Sequence, residues 1–374
     1  MNRASEPTLG WRTRWSIRLA RLVRWEFWPG PVFYLPVVAY IVWRAVVTGQ
    51  WTRFTAVNPG ISHGGGLIGE SKHETLVPLA QGMPAFVAEF EQISADLPPA
   101  ERTRRALAFA ARQPRPWPVV LKPDRGERGR GVRIAYSEAA VVDYFQRLHV
   151  PVIVQAYVPG AEFGLFFVRR PGAAGELVSL TEKQLLQLVG DGRHRVRELI
   201  LQHPRAKLIA PMLFQRFATQ LDHVLTDGAT LPIADVGSHC RGALFLDGQA
   251  LCTPALVARV RQLAAAMPGF EFGRLDVRAA SREALAAGED FQVIEVNGAS
   301  SEPAHVYHPG TPLRVGLRAF LGIWRDMMEI GAANARQGVP WIRPLALLAM
   351  AWREHRALRG IDWPSNVWEG DRSG

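Results

Sequence analysis

Apolar and polar residues along this chain repeat with two periods, one of about two residues and one of about 3.6. Strand-like alternation or short apolar runs occur at residues 119–122, 132–135, 152–156, 162–168, 272–277 and 291–296. Helical spacing predicts two helices within 83–112, split by Pro98 and Pro99, and further helices over 137–148, 254–267 and 313–330. Because these elements alternate with antiparallel turns, we expect an α+β fold.

Residues 1–50 break this pattern. Five arginines between positions 12 and 24 precede an uncharged run over residues 27–43, which tryptophans bracket. The run is short for a membrane-spanning helix and contains three prolines, so we do not expect it to cross a bilayer. Flanking Trp and Arg suit the headgroup level of a membrane. Attachment to an anionic membrane surface and a hairpin buried against the protein body both remain open interpretations.

Composition narrows the function classes only slightly. The 374 residues are 48 % hydrophobic and 21 % charged, which suits two or three folded units. A net charge of +10 favours an anionic partner such as nucleotide phosphates, an acidic substrate or an anionic bilayer, and no nucleic acid is expected. Cys240 and Cys252 are too few for a disulfide framework, so we expect a reducing, cytoplasmic compartment.

Two segments outside the predicted strands stay ambiguous. The glycine-rich stretch from Asn58 to Lys72 suits a ligand-binding loop, but it also suits a tight turn between two strands. The apolar stretch from Trp341 to Trp352 is expected to cap the core, with membrane contact beside residues 1–50 as the alternative.

A phosphate-binding loop is predicted after the strand that ends at Lys122. The segment Pro123-Asp-Arg-Gly-Glu-Arg-Gly-Arg-Gly131 follows it directly. Backbone N–H groups at glycines can cradle phosphates, and Lys122 adds a positive charge. The residues predicted to bind nucleotide in this part of the chain are Lys122, Gly126, Gly129, Arg130 and Gly131. No Walker motif is present, and a purely structural hairpin would have the same composition.

A metal site is predicted on the last two strands. Asp276 lies on one strand, and Glu295 and Asn297 lie on the other. Since strand side chains alternate between faces, Glu295 and Asn297 point the same way. Their hard oxygen atoms suit Mg²⁺ or Mn²⁺ bridging the phosphates of ATP.

The order of lysine strand, glycine loop, helix and the segment from Val152 to Gly164 resembles the ATP-grasp superfamily. It is most similar to the D-alanyl-D-alanine ligase and cyanophycin synthetase branch, over residues 119–309. The resemblance implies an ATP-grasp fold of two α+β subdomains that clasp ATP. It also implies that an adenine hinge and a ribose acceptor are formed by Gln155, Ala156, Tyr157, Val158 and Glu162.

The same resemblance implies catalytic roles for three basic residues. Lys183 would contact phosphate, Arg274 would stabilise the transferring phosphoryl group, and Arg241 would bind the substrate carboxylate. Two departures from the family's pattern leave the acceptor undefined. The stretch before Val119 is shorter than, and unlike, the family's N-terminal substrate domain, and Asn297 is followed by Gly-Ala-Ser-Ser-Glu302 in place of Ser/Thr-Pro-Gly. In the adenine hinge, Gln155 stands where the family usually has an acid.

The resemblance divides the chain into five predicted parts. These are the basic and apolar segment 1–50, a substrate region 51–117, a small ATP-grasp subdomain 118–178, a C-terminal subdomain 179–330 and a helical tail 331–374. The expected activity is ATP- and magnesium-dependent ligation of a small carboxylate to an amine or a thiol through an acyl phosphate. The alternative is a membrane-associated ATP-binding protein or kinase of envelope or polysaccharide metabolism, held at the inner face of the cell membrane. Oligomerisation is left open.

Overall fold

The computed structural model describes residues 9–126, 129–233, 237 and 242–359. Its helices in chain order are α1 Trp11–Leu22, α2 Gly30–Thr48, α3 Ser62–Gly66, α4 Lys72–Gly82, α5 Pro99–Arg112, α6 Glu138–Arg147, α7 Val196–Gln202, α8 Ala210–Arg216, α9 Pro254–Ala265, α10 Arg282–Ala287, α11 Leu313–Arg336 and α12 Pro344–Arg359. Its strands are β1 Phe90–Ile93, β2 Val119–Pro123, β3 Arg133–Ala135, β4 Val152–Ala156, β5 Ala161–Val168, β6 Glu176–Gln184, β7 Gln187–Val189, β8 Thr230–Pro232, β9 Leu244–Asp247, β10 Phe272–Ala279 and β11 Phe291–Asn297.

The strands form two main antiparallel sheets. A four-stranded sheet has the order β1-β4-β2-β3, and a five-stranded sheet has the order β11-β10-β5-β6-β9. Strands β7 and β8 make a separate pair. The α+β prediction is therefore confirmed. The division into five parts remains a prediction, and β1, from the predicted substrate region, pairs with β4.

The four-stranded sheet buries one face against helices α5 and α6. Val119 and Leu121 alternate into this core, where they join Phe109 and Tyr144. The intervening positions of β2 and β4 face the other way, which is why Lys122 of β2 points away from the helices and can meet the second sheet.

The five-stranded sheet has one mainly apolar face, with Glu182 of β6, opposite Phe163, as a buried exception. Leu275 and Val277 of β10 pack there with residues of α4 and α9. The opposite face changes from apolar to charged along β10. Phe272 packs with α11, whereas Asp276 and Arg278 further along β10 carry charge. This charged end of the sheet carries the candidate site.

One predicted helix is wrong. Residues 84–98 contain a short 3₁₀ turn and the strand β1, and a helix begins only at Pro99. The pairing of β1 with the edge of β4 outweighs a weak helical pattern, since a four-residue segment has too few turns to be stable as a helix alone.

Helix α2 is longer and more continuous than the sequence predicted. Pro29 caps it and Pro31 lies in its first turn, where a missing N–H costs nothing, so that only Pro36 interrupts the helix interior. Within the described residues, α2 is the one helix long and apolar enough to cross a membrane, and 17 % of its most apolar window is buried. Core helices of soluble proteins can pass the same test.

Helix α12 does not cap the core as expected. Leu347 is partly buried against the core, but Leu345 is 81 % exposed and Leu348 is 68 % exposed. The helix lies on the surface because only one side of it finds apolar partners in the described residues.

Candidate active site

Strand register brings charged side chains of the five-stranded sheet together. Across adjacent strands, Asp276 lies opposite Glu295, and Arg274 lies opposite Asn297. On the other side of β10, Asp276 faces Gly164 of β5. Neighbouring β6 places Lys183 opposite Glu162. The sequence-predicted residues of four separate strands therefore share one face.

Asp276 is at the centre of this cluster. Arg274 donates from Nε to Oδ1 at 2.6 Å and from Nη2 to Oδ2 at 3.1 Å. Lys183 Nζ lies 3.1 Å from Oδ2, and Asn297 Nδ2 donates to the same atom at 3.2 Å. Burial alone would raise the pKa of Asp276, but the charges of Arg274 and Lys183 hold it at about 2. Asp276 is therefore ionised and held in place.

Lys183 joins the two sides of the cluster. Its Nζ donates to Glu162 Oε1 at 2.9 Å, and its side chain is only 3 % exposed. Burial would lower the pKa of Lys183, but the charges of Asp276 and Glu162 raise it. Arg278 Nε lies 3.8 Å from the second oxygen of Glu162. The buried lysine therefore stays charged because two carboxylates surround it.

Lys122 connects the two sheets at the edge of the site. Its Nζ donates to Gln155 Oε1 at 2.8 Å and to the backbone oxygen of Ile294 at 2.7 Å. Burial lowers the pKa of Lys122 to about 8. Gln155 Nε2 is buried and has no hydrogen bond to the part of the chain that the structure describes. Among the described residues, the hydrogen bonds of Lys122 Nζ go to neutral oxygens, which leaves its charge without a direct ion pair there.

Comparison with known proteins gave weak matches in sequence and in structure. No family model matches. The glutathione biosynthesis bifunctional protein of Streptococcus thermophilus is 27 % identical over 90 residues, which cover 22 % of this chain and 11 % of that protein. A bifunctional glutathione synthetase structure from Pasteurella multocida is 15 % identical, with a TM-score of 0.36, covering 67 % of this chain and 36 % of that one.

Two further solved structures have similar scores. A D-alanine-D-alanine ligase from Bacillus anthracis is 14 % identical, with a TM-score of 0.38, covering 71 % of this chain and 68 % of that one. The enzyme of the same name from Coxiella burnetii is 12 % identical, with a TM-score of 0.39, covering 76 % and 61 %. The chain resembles ATP-grasp ligases. With TM-scores below 0.5, these likenesses assign no residue a role in this chain.

The predicted adenine hinge of the ATP-grasp fold has its polar groups partly engaged. The Ala156 N–H donates to the backbone oxygen of Glu89 at 2.8 Å, and the Val158 oxygen accepts from Arg278 Nη1 at 2.8 Å. The Arg278 guanidinium also lies over the Tyr157 ring, 5.1 Å from its centroid. Arg278 therefore links the hinge to Glu162, and the sequence did not single it out.

The predicted glycine loop lies at the other edge. Gly129 and Gly131 have φ values of 70° and 68°, which only glycine adopts readily. The Gly131 oxygen accepts from the Tyr144 hydroxyl at 2.7 Å, which fixes the end of the loop. Arg130 is exposed between them. Residues 127–128 and Arg241 lie outside the described residues, so the predicted role of Arg241 stays a prediction.

Lys72 and Glu70, which precede the first predicted strand, also lie in the site, and the sequence did not predict this. Lys72 Nζ donates to the Gly126 oxygen at 3.0 Å and lies 3.5 Å from Glu295 Oε1, tying the glycine loop to β11. Glu70 Oε2 accepts from the Gly298 N–H at 2.9 Å. Burial raises the pKa of Glu70 to about 8. The only sequence signal was a Glu-Ser-Lys run that ends the glycine-rich stretch.

That glycine-rich stretch is not a turn between strands. Four successive residues, His63 to Gly66, have positive φ, so α3 is a left-handed turn and not a regular α-helix. It lies between a 3₁₀ turn and α4. The Gly65 oxygen accepts from the Ala299 N–H at 2.9 Å, and the Gly66 oxygen accepts from Ser300 N–H at 3.1 Å. The segment therefore packs directly on the loop after Asn297.

A divalent cation fits the donors that face one another here. Mg²⁺ in proteins takes one or two carboxylates and completes its shell with water and substrate phosphates. Asp276, Glu295 and Asn297 supply two carboxylates and an amide on adjacent strands. The described residues hold no group of three His, Cys, Asp or Glu side chains able to bind a metal. A metal held by Asp276, Glu295 and Asn297 would therefore need further ligands, such as water or a substrate phosphate.

Gly164 is a further site residue that the sequence did not single out. A Cβ atom there would lie 2.9 Å from Arg274 Cδ and 3.4 Å from Asp276 Oδ1. The missing side chain lets Arg274 lie across β5 to reach Asp276.

Proposed function

We propose that this chain is an ATP- and magnesium-dependent ligase that joins a small carboxylate to an amine, or to a thiol, through an acyl phosphate. The observation that carries the proposal is the buried cluster in which Arg274 and Lys183 hold Asp276 opposite Glu295. Such a concentration of hard oxygens and fixed cations on one sheet face suits phosphoryl transfer, where positioning and charge neutralisation supply most of the catalysis.

ATP phosphates would be bound by buried lysines that converge from different elements. Lys122, Lys72 and Lys183 are 5 %, 6 % and 6 % exposed, and each now donates to protein oxygens. Backbone N–H groups around Gly129 and Gly131 would add neutral donors. Adenine would lie along the hinge at residues 155–158, with Glu162 accepting from the ribose hydroxyls.

Asp276, Glu295 and Asn297 would hold Mg²⁺ or Mn²⁺, which would neutralise charge on the transferring phosphoryl group. Arg274 contacts one of these proposed ligands, with its Nε 2.6 Å from Asp276 Oδ1. Burial would lower the pKa of Arg274, but the Asp276 charge raises it, so the guanidinium stays protonated throughout. It would stabilise negative charge on the phosphoryl group and later on the tetrahedral intermediate.

The proposed reaction has two balanced steps. A carboxylate oxygen attacks the γ-phosphorus, the bond to the bridging oxygen breaks, and ADP leaves. The amine nitrogen then attacks the acyl carbon, inorganic phosphate leaves with the C–O bonding electrons, and the nitrogen loses a proton to solvent. No protein nucleophile takes part.

A thermal-shift titration with ATP and Mg²⁺ tests the nucleotide site. We expect wild-type protein to be stabilised by about 2.7 kcal/mol at a hundredfold excess over Kd. Glu295→Ala should lose the magnesium-dependent part of the shift, whereas Glu289→Ala, an exposed acid outside the cluster, should keep it. Phosphate release with a library of carboxylates and amines, absent in Asp276→Ala, tests the reaction. A library without release above that control contradicts the ligase.

A second candidate is a membrane-associated ATP-binding protein or kinase of envelope or polysaccharide metabolism. The exposed apolar side of α2 favours it. ADP formed without a condensed product would select the kinase, and nucleotide binding without ADP would select the non-enzymatic form. Either candidate would work in the cytoplasm, with residues 1–50 at the inner face of the cell membrane. Flotation with vesicles, with and without residues 1–50, tests that attachment.

A further inference from the structure

Helix α1 exposes an apolar ridge. Trp11, Trp15, Leu19 and Leu22 recur at spacings of three and four residues, and each is at least 56 % exposed. Ile17, on another side, is 4 % exposed and packs with residues of α7 and α8. The helix is thus docked on the protein body with its tryptophans facing solvent.

Helix α2 divides its apolar residues between two sides. Phe33 and Val37 are 6 % and 0 % exposed and pack against α11. Leu35 and Val38, between and beyond them, are 68 % and 49 % exposed, and Val42 and Val46 continue that side. One side of α2 is therefore held by the protein body, and the other side is open to solvent.

Helix α12 repeats the arrangement at the other end of the described chain. Leu345, Leu348 and Trp352 follow helical spacing and are 81 %, 68 % and 59 % exposed. The start of α12 lies beside the segment after α2, because the Arg53 guanidinium lies over the Trp341 ring, 5.2 Å from its centroid. Leu347 packs into the same core cluster as the buried side of α2.

Charge decides which occupant suits these ridges. Residues 9–53 contain seven arginines and one glutamate, and residues 341–359 contain four arginines and one glutamate. Glu26 is already bound to Arg205 at 3.1 Å. A second copy of this chain would bring the same positive charge against itself. An anionic bilayer is complementary, since arginines meet lipid phosphates while Trp and Leu enter the interface.

We propose that α1, α2 and α12 together form one docking surface for an anionic membrane leaflet. The surface extends beyond the residues 1–50 considered above, and it does not depend on the ligase activity. It also borders the candidate site. Ile342 lies against Gly64, and the Glu354 carboxylate lies against Gly69, in the segment that packs on the loop after Asn297.

An environment-sensitive fluorophore on α12 tests the proposal directly. Leu348→Cys carries the label, with Val142→Cys, an exposed valine on α6, as the matched control. Both variants also carry Cys240→Ser and Cys252→Ser. Vesicles of phosphatidylglycerol and phosphatidylethanolamine are added, and vesicles of phosphatidylcholine serve as the neutral comparison.

We expect a blue shift and a rise in emission at position 348 with the anionic vesicles, and no change at position 142. The response should weaken as salt rises from 0.1 M to 1 M, because the Debye length falls from about 10 Å to about 3 Å. An unchanged label at position 348 overturns the proposal, whether or not the protein floats with the vesicles. So does a blue shift that depends on protein concentration without lipid, which would reveal a second copy as the occupant.

Discussion

The charged face of the five-stranded sheet and the ridges of the terminal helices depart from ordinary burial in opposite directions. On the sheet, Asp276 is 4 % exposed and Lys183 is 6 % exposed, although ionised groups prefer water. On α12, Leu345 is 81 % exposed although its side chain favours burial.

The two regions differ in how the unfavourable burial or exposure is compensated. On the sheet, desolvation is offset by ion pairs and hydrogen bonds within the cluster, so its members depend on one another. The exposed ridges have no such internal compensation, so little in the fold depends on them. Buried charge marks the candidate site in the first region, and exposed apolar surface marks the proposed interaction surface in the second.

The largest expected effect is the removal of a single charge from the cluster. Lys183→Met keeps most of the side-chain volume but leaves Glu162 and Asp276 without their shared cation. We expect unfolding free energy to fall by about 3 to 5 kcal/mol in urea denaturation. The exposed pairs of Asp222 with Arg195 and Arg197 provide the control, and Asp222→Asn should cost less than about 1 kcal/mol. Equal losses of unfolding free energy in Lys183→Met and Asp222→Asn would contradict the expectation that members of the buried cluster depend on one another.

The pH dependence of stability should identify Glu70 as a buried carboxyl. Its folded pKa of about 8 lies above the ordinary value of 4.5, so its contribution is complete below pH 4.5 and is lost as pH rises through about 8. Over that window the loss is about 5 kcal/mol at most. Glu70→Gln should flatten the fall in a series of urea titrations. Parallel curves for the two proteins would mean that Glu70 titrates normally.

Adding a side chain where two backbone segments pack closely beside the cluster should reduce stability moderately. A Cβ on Gly298 would lie 2.4 Å from the Gly65 oxygen, so Gly298→Ala must separate the two loops. We expect a loss of about 1 to 3 kcal/mol and a weaker magnesium-dependent ATP shift. Gly322 of α11 has open space around its Cβ position, and Gly322→Ala should instead stabilise by about 0.5 to 1 kcal/mol. A tolerated Gly298→Ala would show that the loops separate easily.

The smallest stability effect is expected on the exposed ridges. Leu35→Ser should change unfolding free energy by less than about 0.5 kcal/mol, because its side chain is already in solvent. Val37→Ala, two residues away and wholly buried, should cost about 1 to 3 kcal/mol. Leu35→Ser should nevertheless weaken vesicle binding. A large loss of stability in Leu35→Ser would show that this side of α2 supports the fold.

Several features of the protein followed from the sequence by itself. Alternation along a strand fixes which side chains share a face, and so it determined that Glu295 and Asn297 point together. Helical spacing determined the elements α9 and α11. The strand before the glycine loop determined the position of Lys122 near the end of β2. These are local properties, set by backbone geometry within a few residues.

Only the tertiary structure decided which faces meet. Lys72 and Glu70 reach the site from a segment more than 200 residues before Glu295, and Gly164 matters only because Arg274 crosses it. The strand β1 forms because β4 offers an edge, and the ridge of α12 is exposed because its neighbours cover only one side. Local periodicity specifies a face but not its partner, since partners come from long-range packing that no short window of sequence contains.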